Sequence, residues 1–506
     1  MATSAVALQQ ENQVLRAQLE QKDDQLEQKT LRIHQLEALI KKFQHREFGP
    51  SSEQMPPGQG RLFDEGEALS EPLESEDASV EIKAHARKRT RRPRLSDDLP
   101  RVDIIHDLSD AEKVCPEHGC DLTPMGEEIS EQLQFIPATV QVQRHICKKY
   151  TCRACEGRVV TAKKPPQPIP KSMATPSLLS WVAVSKYADA LPLYRQSQIF
   201  GRIGFEVDRT TLARWMVACG KLIVPLVNLL WDRLRAEAVV HMDETTVQVL
   251  AEPGKTPQSK SYMWASVAGP PQAGIVLFHY APNRSAQVAK GLLEGYEGAL
   301  MVDGYEGYGA ACTPRVIRLG CWAHARRRFI DAQRLQPKGK TGKPDQALSW
   351  INKLYGIERL LKDASADETY TIRQTRSVAV LNQLRRWLDK TLPTVLPGSE
   401  LGKAVSYLDQ QWPRLIGYVD DGHRPIDNNR AENAIRPFVI GRKNWIFSQS
   451  VAGATASANL YSLIETAKAH GLDPHRYLNH VFTELPKATT VEQIEALLPD
   501  KIKNGD

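Results

Sequence analysis

The 506-residue chain has no stretch approaching the about 18 uninterrupted apolar residues of a membrane-spanning helix, so no membrane partner is expected. Its start, MATSAVALQQENQVL, lacks a cationic segment followed by an apolar block, so no secretory signal is expected either. Cysteine is sparse, with eight in all. Where cysteines of a reduced compartment cluster, they argue for metal rather than disulfides. The formal net charge of +6 excludes a strongly basic or acidic protein overall, but the charge is unevenly spread. Residues 64–81 contain no base, and residues 83–94 (KAHARKRTRRPR) contain no acid. A cation block of that kind fits a phosphate-binding arm or a solvated spacer, and Arg87, Lys88, Arg89, Arg91 and Arg92 are its candidate DNA contacts.

The length is that of about three or four domains. Residues 1–44 read as a coiled coil. Heptad position a falls on Ala5, Asn12, Leu19, Leu26, Ile33 and Ile40, and position d on Leu8, Leu15, Lys22, Lys29, Leu36 and Phe43. This predicts homo-oligomerisation. Residues 45–100 are rich in Pro, Gly, Ser and charge, and read as an acidic then basic linker. Residues 101–165 form a small cysteine-bearing module. Residues 170–235 read as helical; within them RQSQIFGRIGFEVDRTTLARWMVAC has a helix, a glycine turn, Asp208 as an N-cap and a second helix, a loose helix-turn-helix pattern. From 236 to 343, β-branched strands give way to strand-helix alternation, which predicts a mixed sheet with helices on its faces. Residues 344–415 are helical and charged. The sheet region resumes over 416–462, and 463–506 is a C-terminal helical segment.

Cys115, Cys120, Cys152 and Cys155, with His118 inside the first pair, make two ligand pairs suited to one structural Zn²⁺, with His118 and Cys120 as alternatives and Cys147 as a spare. Cys219 and Cys312 stand alone and read as small core residues.

Three carboxylates stand in chemically suggestive places. Asp243 (VVHMDETTV) and Asp303 (GALMVDGYEGY) each end an apolar run, and Glu432 follows Asn428 and Asn429 at a helix start (DNNRAENAIRP), where the asparagines can cap the helix. Convergent carboxylates bind two Mg²⁺ or Mn²⁺ ions, which predicts metal-dependent cutting and joining of nucleic acid. Glu244 is expected on the opposite strand face from Asp243, and Gly304 to leave room for metal or phosphate. Arg430, Arg436, Arg442 and Lys443 surround Glu432 as candidate phosphate contacts. In GCWAHARRRF, Cys321 and His324 are one helical turn apart and followed by Arg326, Arg327 and Arg328; His324 is expected near the scissile phosphate.

These pieces, in the order CPEHGC…KKYTCRACEG, SKYADALPLYRQSQIF, HMDETTVQVL, DGYEGYGA, GCWAHARRRF, DNNRAENAIRPFVIGRKNWIFS and SLIETAKAHGLDPHRYL, resemble the large transposase of the insertion-sequence-66 family over nearly the whole chain. The resemblance implies a DDE transposase. Its multidomain α/β fold would have a ribonuclease-H-like core interrupted by a helical insertion, plus the coiled coil, zinc module and helical DNA-binding domain. It implies the triad Asp243, Asp303 and Glu432, double-stranded DNA ends and target as substrate, small accessory proteins as partners, and a bacterial cytoplasmic, nucleoid-associated location. His118 departs from the family's C-x-x-C. A DNA-binding regulator with an inactive core, or a nuclease without strand transfer, are the competing functions.

Overall fold

The computed structural model describes residues 140–151, 159–162, 164–336 and 341–502, together with Lys22. The chain divides into two units, 73–142 and the remainder, and every element described below lies in the latter. Apart from Lys22, the coiled-coil segment lies outside the described residues. So do the linker with Arg87, Lys88, Arg89, Arg91 and Arg92, and the zinc candidates Cys115, His118, Cys120, Cys152 and Cys155. Of the cysteine module the structure describes an antiparallel pair, β1 (Lys149–Thr151) and β2 (Val159–Thr161), with exposed Cys147 ahead of it.

Four helices follow: α1 (Pro176–Tyr187), α2 (Leu193–Arg202), α3 (Arg209–Leu222) and α4 (Val224–Arg235). Local chemistry sets their ends. Thr175 caps α1, with proline at the first helical position. Gly204 adopts φ +82° in the turn after α2, and the Asp208 carboxylate accepts the Thr211 N–H at 2.7 Å to start α3. Leu212, Trp215, Met216 and Cys219 of α3 are buried in the same apolar cluster as the sheet, so this helix pair packs as part of the main core. Burial pushes the Cys219 thiol up to about 12, as for an inert core residue.

The sheet is built from β3 (Val239–Ala251), β4 (Lys260–Ala268), β5 (Ile275–Ala281), β6 (Gly298–Val302) and β7 (Val316–Gly320), in the order β5-β4-β3-β6-β7. The first three strands pair antiparallel as a meander. β6 joins β3 in parallel, and β7 joins β6 in parallel. The switch follows from the connections: short turns link β3, β4 and β5, whereas α5 (Ala286–Leu292) carries the chain over to β6. The central strands are apolar on both faces because helices cover both. The fold is therefore the mixed α/β class expected.

After β7, α6 (Trp322–Arg334) leads into a helical region of α7 (Lys343–Leu360), α8 (Ala366–Ile372), α9 (Val378–Thr391) and α10 (Glu400–Ile416). It has its own apolar cluster, which starts inside α6 at Trp322 and Phe329 and includes Leu354, Leu384, Leu408 and Tyr418. Buried Arg373, between α8 and α9, organises its polar interior. It pairs bidentately with Glu358 (3.0 and 2.6 Å) and donates to the carbonyls of Tyr418, Asp421 and Arg424.

The chain returns to the sheet as α11 (Asn429–Trp445), then β8 (Ser448–Ser450), which pairs in parallel with the far end of β3. The last elements are α12 (Val451–Ala469), α13 (Pro474–Glu484) and the short α14 (Val491–Glu495). α12 lies along the outer strand β5. Its Ser462 hydroxyl accepts the Phe278 N–H at 2.8 Å, and its Thr466 hydroxyl accepts the Val276 N–H at 3.1 Å while donating to the Val276 carbonyl. The backbone groups of an edge strand are thus satisfied by side chains.

Candidate active site

Strand register brings the two aspartates together. β3 and β6 pair His241 with Met301, and Asp243 and Asp303 each stand two residues beyond that pair. Asp243 lies within β3, which runs on to Ala251, and Asp303 directly follows β6; the register extended by two residues sets them level, about 4.8 Å apart in strand spacing. The C-terminal end of β6, where Asp303 stands, is the kind of position at which α/β sheets place their sites. Asp303 is held by its own loop: its carboxylate accepts the Tyr305 N–H at 2.9 Å, and half-enclosed Arg318 donates to the carbonyls of Asp303 (3.1 Å) and Tyr305 (2.7 Å).

Glu432, only 6 % exposed, lies in the first turn of α11. It faces α6, where Arg327 Nη2 lies 3.2 Å from one carboxylate oxygen and His324 Nδ1 lies 3.4 Å from the other. Burial, then the charges of Glu244, Glu432 and Asp303, push the Asp243 carboxyl well above the usual carboxylate range. Burial, reinforced by Arg327 and Arg328, lowers His324, against the pull of Glu432 and Asp303. The imidazole is thereby favoured in its neutral form.

Asn428 joins the elements that carry these groups. It is fully buried, with Oδ1 3.1 Å from His241 Nδ1 and Nδ2 donating to the Met242 carbonyl at 2.8 Å, while its backbone N–H points to Cys321 Sγ at 3.2 Å. One residue therefore ties α11 to β3 and to the start of α6. This corrects the expected capping role. The Asn428 side chain makes no bond to the helix, and its neighbour Asp427 instead accepts from the backbone and side chain of Asn429. Asp427 also accepts the Tyr355 hydroxyl at 2.9 Å, and burial raises its carboxyl to about 6.

One further expectation, of open space at Gly304, is corrected, and Glu244 proves to have partners of its own. Glu244 is enclosed: it pairs with Arg284, accepts the Tyr308 hydroxyl, and shares Arg284 with Asp303, whose carboxylate lies 3.7 Å away. Burial raises the Glu244 carboxyl, while Tyr308 and Arg284 oppose that rise. The space beside Gly304 is filled by the Tyr407 ring of α10, which a Cβ at Gly304 would meet at 2.7 Å.

The cations fall into two groups. Arg442 is turned inward, donating to Thr245 Oγ1 at 2.9 Å and to the Thr246 carbonyl, and so fastens α11 to β3. Arg430 is also turned inward, against Gly274 in the β4–β5 hairpin, with Glu237 facing its charge. Arg327 is bound to Glu432, Arg326 donates to Asn352 at 3.2 Å, Arg436 donates to Asn433 at 2.9 Å, and Lys443 is exposed. Arg284, Tyr407 and the Asn428 tie carry no local signal in the sequence, because each works through a partner distant along the chain. A cation next to a strand end, in the NRS turn after β5, is the nearest thing to a sign of Arg284.

Residues 171–456 match the family described as Transposase IS66 family, and residues 462–499 match the IS66 C-terminal element. Residues 112–156 match the zinc-finger binding domain of transposase IS66, and residues 35–104 match the family described as Transposase C of IS166 homeodomain. Among proteins of Sinorhizobium fredii, uncharacterized protein y4jD is 35% identical over 423 residues, covering 80% of this chain and 81% of that protein. Uncharacterized protein y4qI is 31% identical over 493 residues, covering 93% and 89% respectively. No solved structure matches. A mixed α/β sheet with a buried acid on its central strand, in a chain matched along its length by transposase families, defines a DNA-acting enzyme. The chain belongs to the IS66 transposase family.

Proposed function

We propose that the protein is a DDE transposase that cleaves DNA at the ends of an insertion sequence and transfers the strands to a target. The observation that supports this reading is the β3–β6 register, which extended by two residues sets Asp243 level with Asp303, together with the charge of Glu432 acting on buried Asp243. The strand order, a three-stranded meander followed by two parallel strands, supports a ribonuclease-H-like core with the helices between α6 and α11 as its insertion.

The donor set fits Mg²⁺ or Mn²⁺. All three groups are hard oxygen ligands, and the mutual charge that raises Asp243 is what a divalent ion would relieve. Two ions held by Asp243, Asp303 and Glu432 would activate a water and stabilise the leaving oxygen. The chain's own residues prepare this arrangement. Arg318 and the Tyr305 N–H fix Asp303, Asn428 fixes the start of α11, and Arg327 orients Glu432. Neutral His324 lies near enough to accept or relay a proton. Lys443, Arg326, Arg436 and the 83–94 run are the phosphate contacts of this reading, and 170–235 contributes its helical hairpin. The zinc module closes on Cys152, Cys155, Cys115 and either His118 or Cys120. The heptads of 1–44 pair two chains, as joining two DNA ends requires, and small accessory proteins join the complex.

A strand-transfer assay on DNA carrying the element's ends tests the reading. Joined products in Mg²⁺ that vanish in Asp303→Asn support it. Cleavage without joining would make the protein a nuclease, and end binding without cleavage a regulator.

A further inference from the structure

Among the described residues, one group of His, Cys, Asp or Glu side chains has three ligand atoms within 4.8 Å of one another, and it is not the acid triad: it is Cys321, His324 and Glu432. Cys321 is the residue preceding α6, and His324 lies one turn into that helix, so C-x-x-H places both on one side of the helix start. Glu432 closes the group from α11. Glu432 is more than nine-tenths buried, and its oxygen nearest His324 has no hydrogen-bond partner; nor does His324 Nδ1. The two atoms face each other at 3.4 Å without a good hydrogen bond, an uncommon arrangement in a protein interior. The opposite Glu432 oxygen is already bound by Arg327, so the free one is the one turned into the group. The Asn428 N–H directed at Cys321 Sγ is the kind of bond that supports a thiolate held by metal.

We propose that Cys321, His324 and Glu432 form a binding site for one thiophilic divalent ion of the Zn²⁺ class, and that filling it draws Glu432 away from Asp243 and Asp303. Sulfur and imidazole select Zn²⁺ or Co²⁺ over Mg²⁺, which takes oxygen. In tetrahedral zinc, ligand atoms stand roughly 3.3–3.8 Å apart, so the group needs only about an ångström of closure. Three protein ligands leave a fourth position for water. The Cys321 thiol is buried and raised, so the ion must displace its proton, which leaves to solvent as the metal–sulfur bond forms. Glu432 is then shared between two metal chemistries. With Mg²⁺ it serves the aspartates; with Zn²⁺ it is held against α6. The binding part stands independently of the transposase reading, and the antagonism rests on it.

The test uses the full chain with Co²⁺ and Zn²⁺ as probes. Wild type is expected to take up one more equivalent of Zn²⁺ than Cys321→Ala, measured by elemental analysis after gel filtration. Its Co²⁺ form is expected to show a sulfur-to-cobalt absorption component missing from Cys321→Ala. His324→Gln, which keeps the thiol, is expected to weaken the same uptake at least tenfold, and it carries the test should Cys321→Ala fail to fold. Equal stoichiometry and equal cobalt spectra in wild type and both variants overturn the site. For the antagonism, micromolar Zn²⁺ added to Mg²⁺-supported cleavage is expected to inhibit wild type and spare Cys321→Ala. Inhibition of both to the same extent overturns the antagonism while leaving the binding site standing. Absence of cleavage in every variant, with zinc uptake intact, counts against the transposase reading alone.

Discussion

The two aspartates and the glutamate are held by different kinds of structure. Asp243 sits on β3 and Asp303 directly after β6, strands that belong to the main apolar cluster, and the register between them, extended by two residues, makes the acids level. Glu432 sits where that cluster meets the second one in the helical region, and its position depends on side chains: Asn428 bridging to β3, Arg327 and His324 reaching from α6. A sheet fixes a pair of groups cheaply and rigidly. A seam between two cores fixes a third group in a way that can be altered without disturbing the pair.

The largest effect should come from the acids themselves. Asp243→Asn, Asp303→Asn and Glu432→Gln are each expected to lower cleavage by at least roughly 10²–10³-fold while leaving end binding intact, read by gel assays of cleavage and binding. If Glu432→Gln alone kept wild-type cleavage, the glutamate would not belong with the aspartates. Next comes the second core. Arg373→Leu strands three carbonyls and Glu358, and should cost about 3–5 kcal/mol in the helical region, seen as an early unfolding transition ahead of that of the sheet. A single unshifted transition would show that the two clusters do not differ in this way. Asn428→Ala removes two side-chain bonds and should cost about 1–3 kcal/mol. Its cleavage rate should fall further than its melting temperature suggests, because it loosens the glutamate's helix.

The smallest effect is a pH dependence. Asp427 has its folded value raised from 3.8 to about 6, so between those values the folded state binds the extra proton. Its contribution therefore favours the folded state at low pH and is lost as pH rises from about 4 to 6. Asp427→Asn should remove that slope in thermal melts at pH 4.5, 5.5 and 7; an unchanged slope would mean the carboxyl does not titrate in this window.

The sheet and its aspartates were legible because the signals are local. VVHMD and GALMV are short apolar runs that read as strands; Asp303 does follow the end of β6, whereas β3 runs on past Asp243 to Ala251. Asp208 was legible as a cap for the same reason. Glu432 was visible only as an acid at a helix start, and its neighbours were misread: Asn428 proved to be a tie between elements, and Gly304 a seat for Tyr407. Glu244 and Arg284 followed no local rule either, since strand alternation says which way a side chain leaves the backbone but not what waits there. Arg430 and Arg442 also make contacts within the fold, to Gly274 and to Thr245, that their place beside an acid in the sequence does not signal.

The hydroxyls of Ser462 and Thr466 on β5 have a consequence for synthesis. The strands of the sheet leave the ribosome well before α12 does, so for most of translation β5 presents an open ladder to any passing strand. A product terminated before residue 451 keeps that ladder open for good. A fragment ending before α12 would lack the Ser462 and Thr466 hydroxyls that satisfy Phe278 and Val276, and is expected to self-associate through β5.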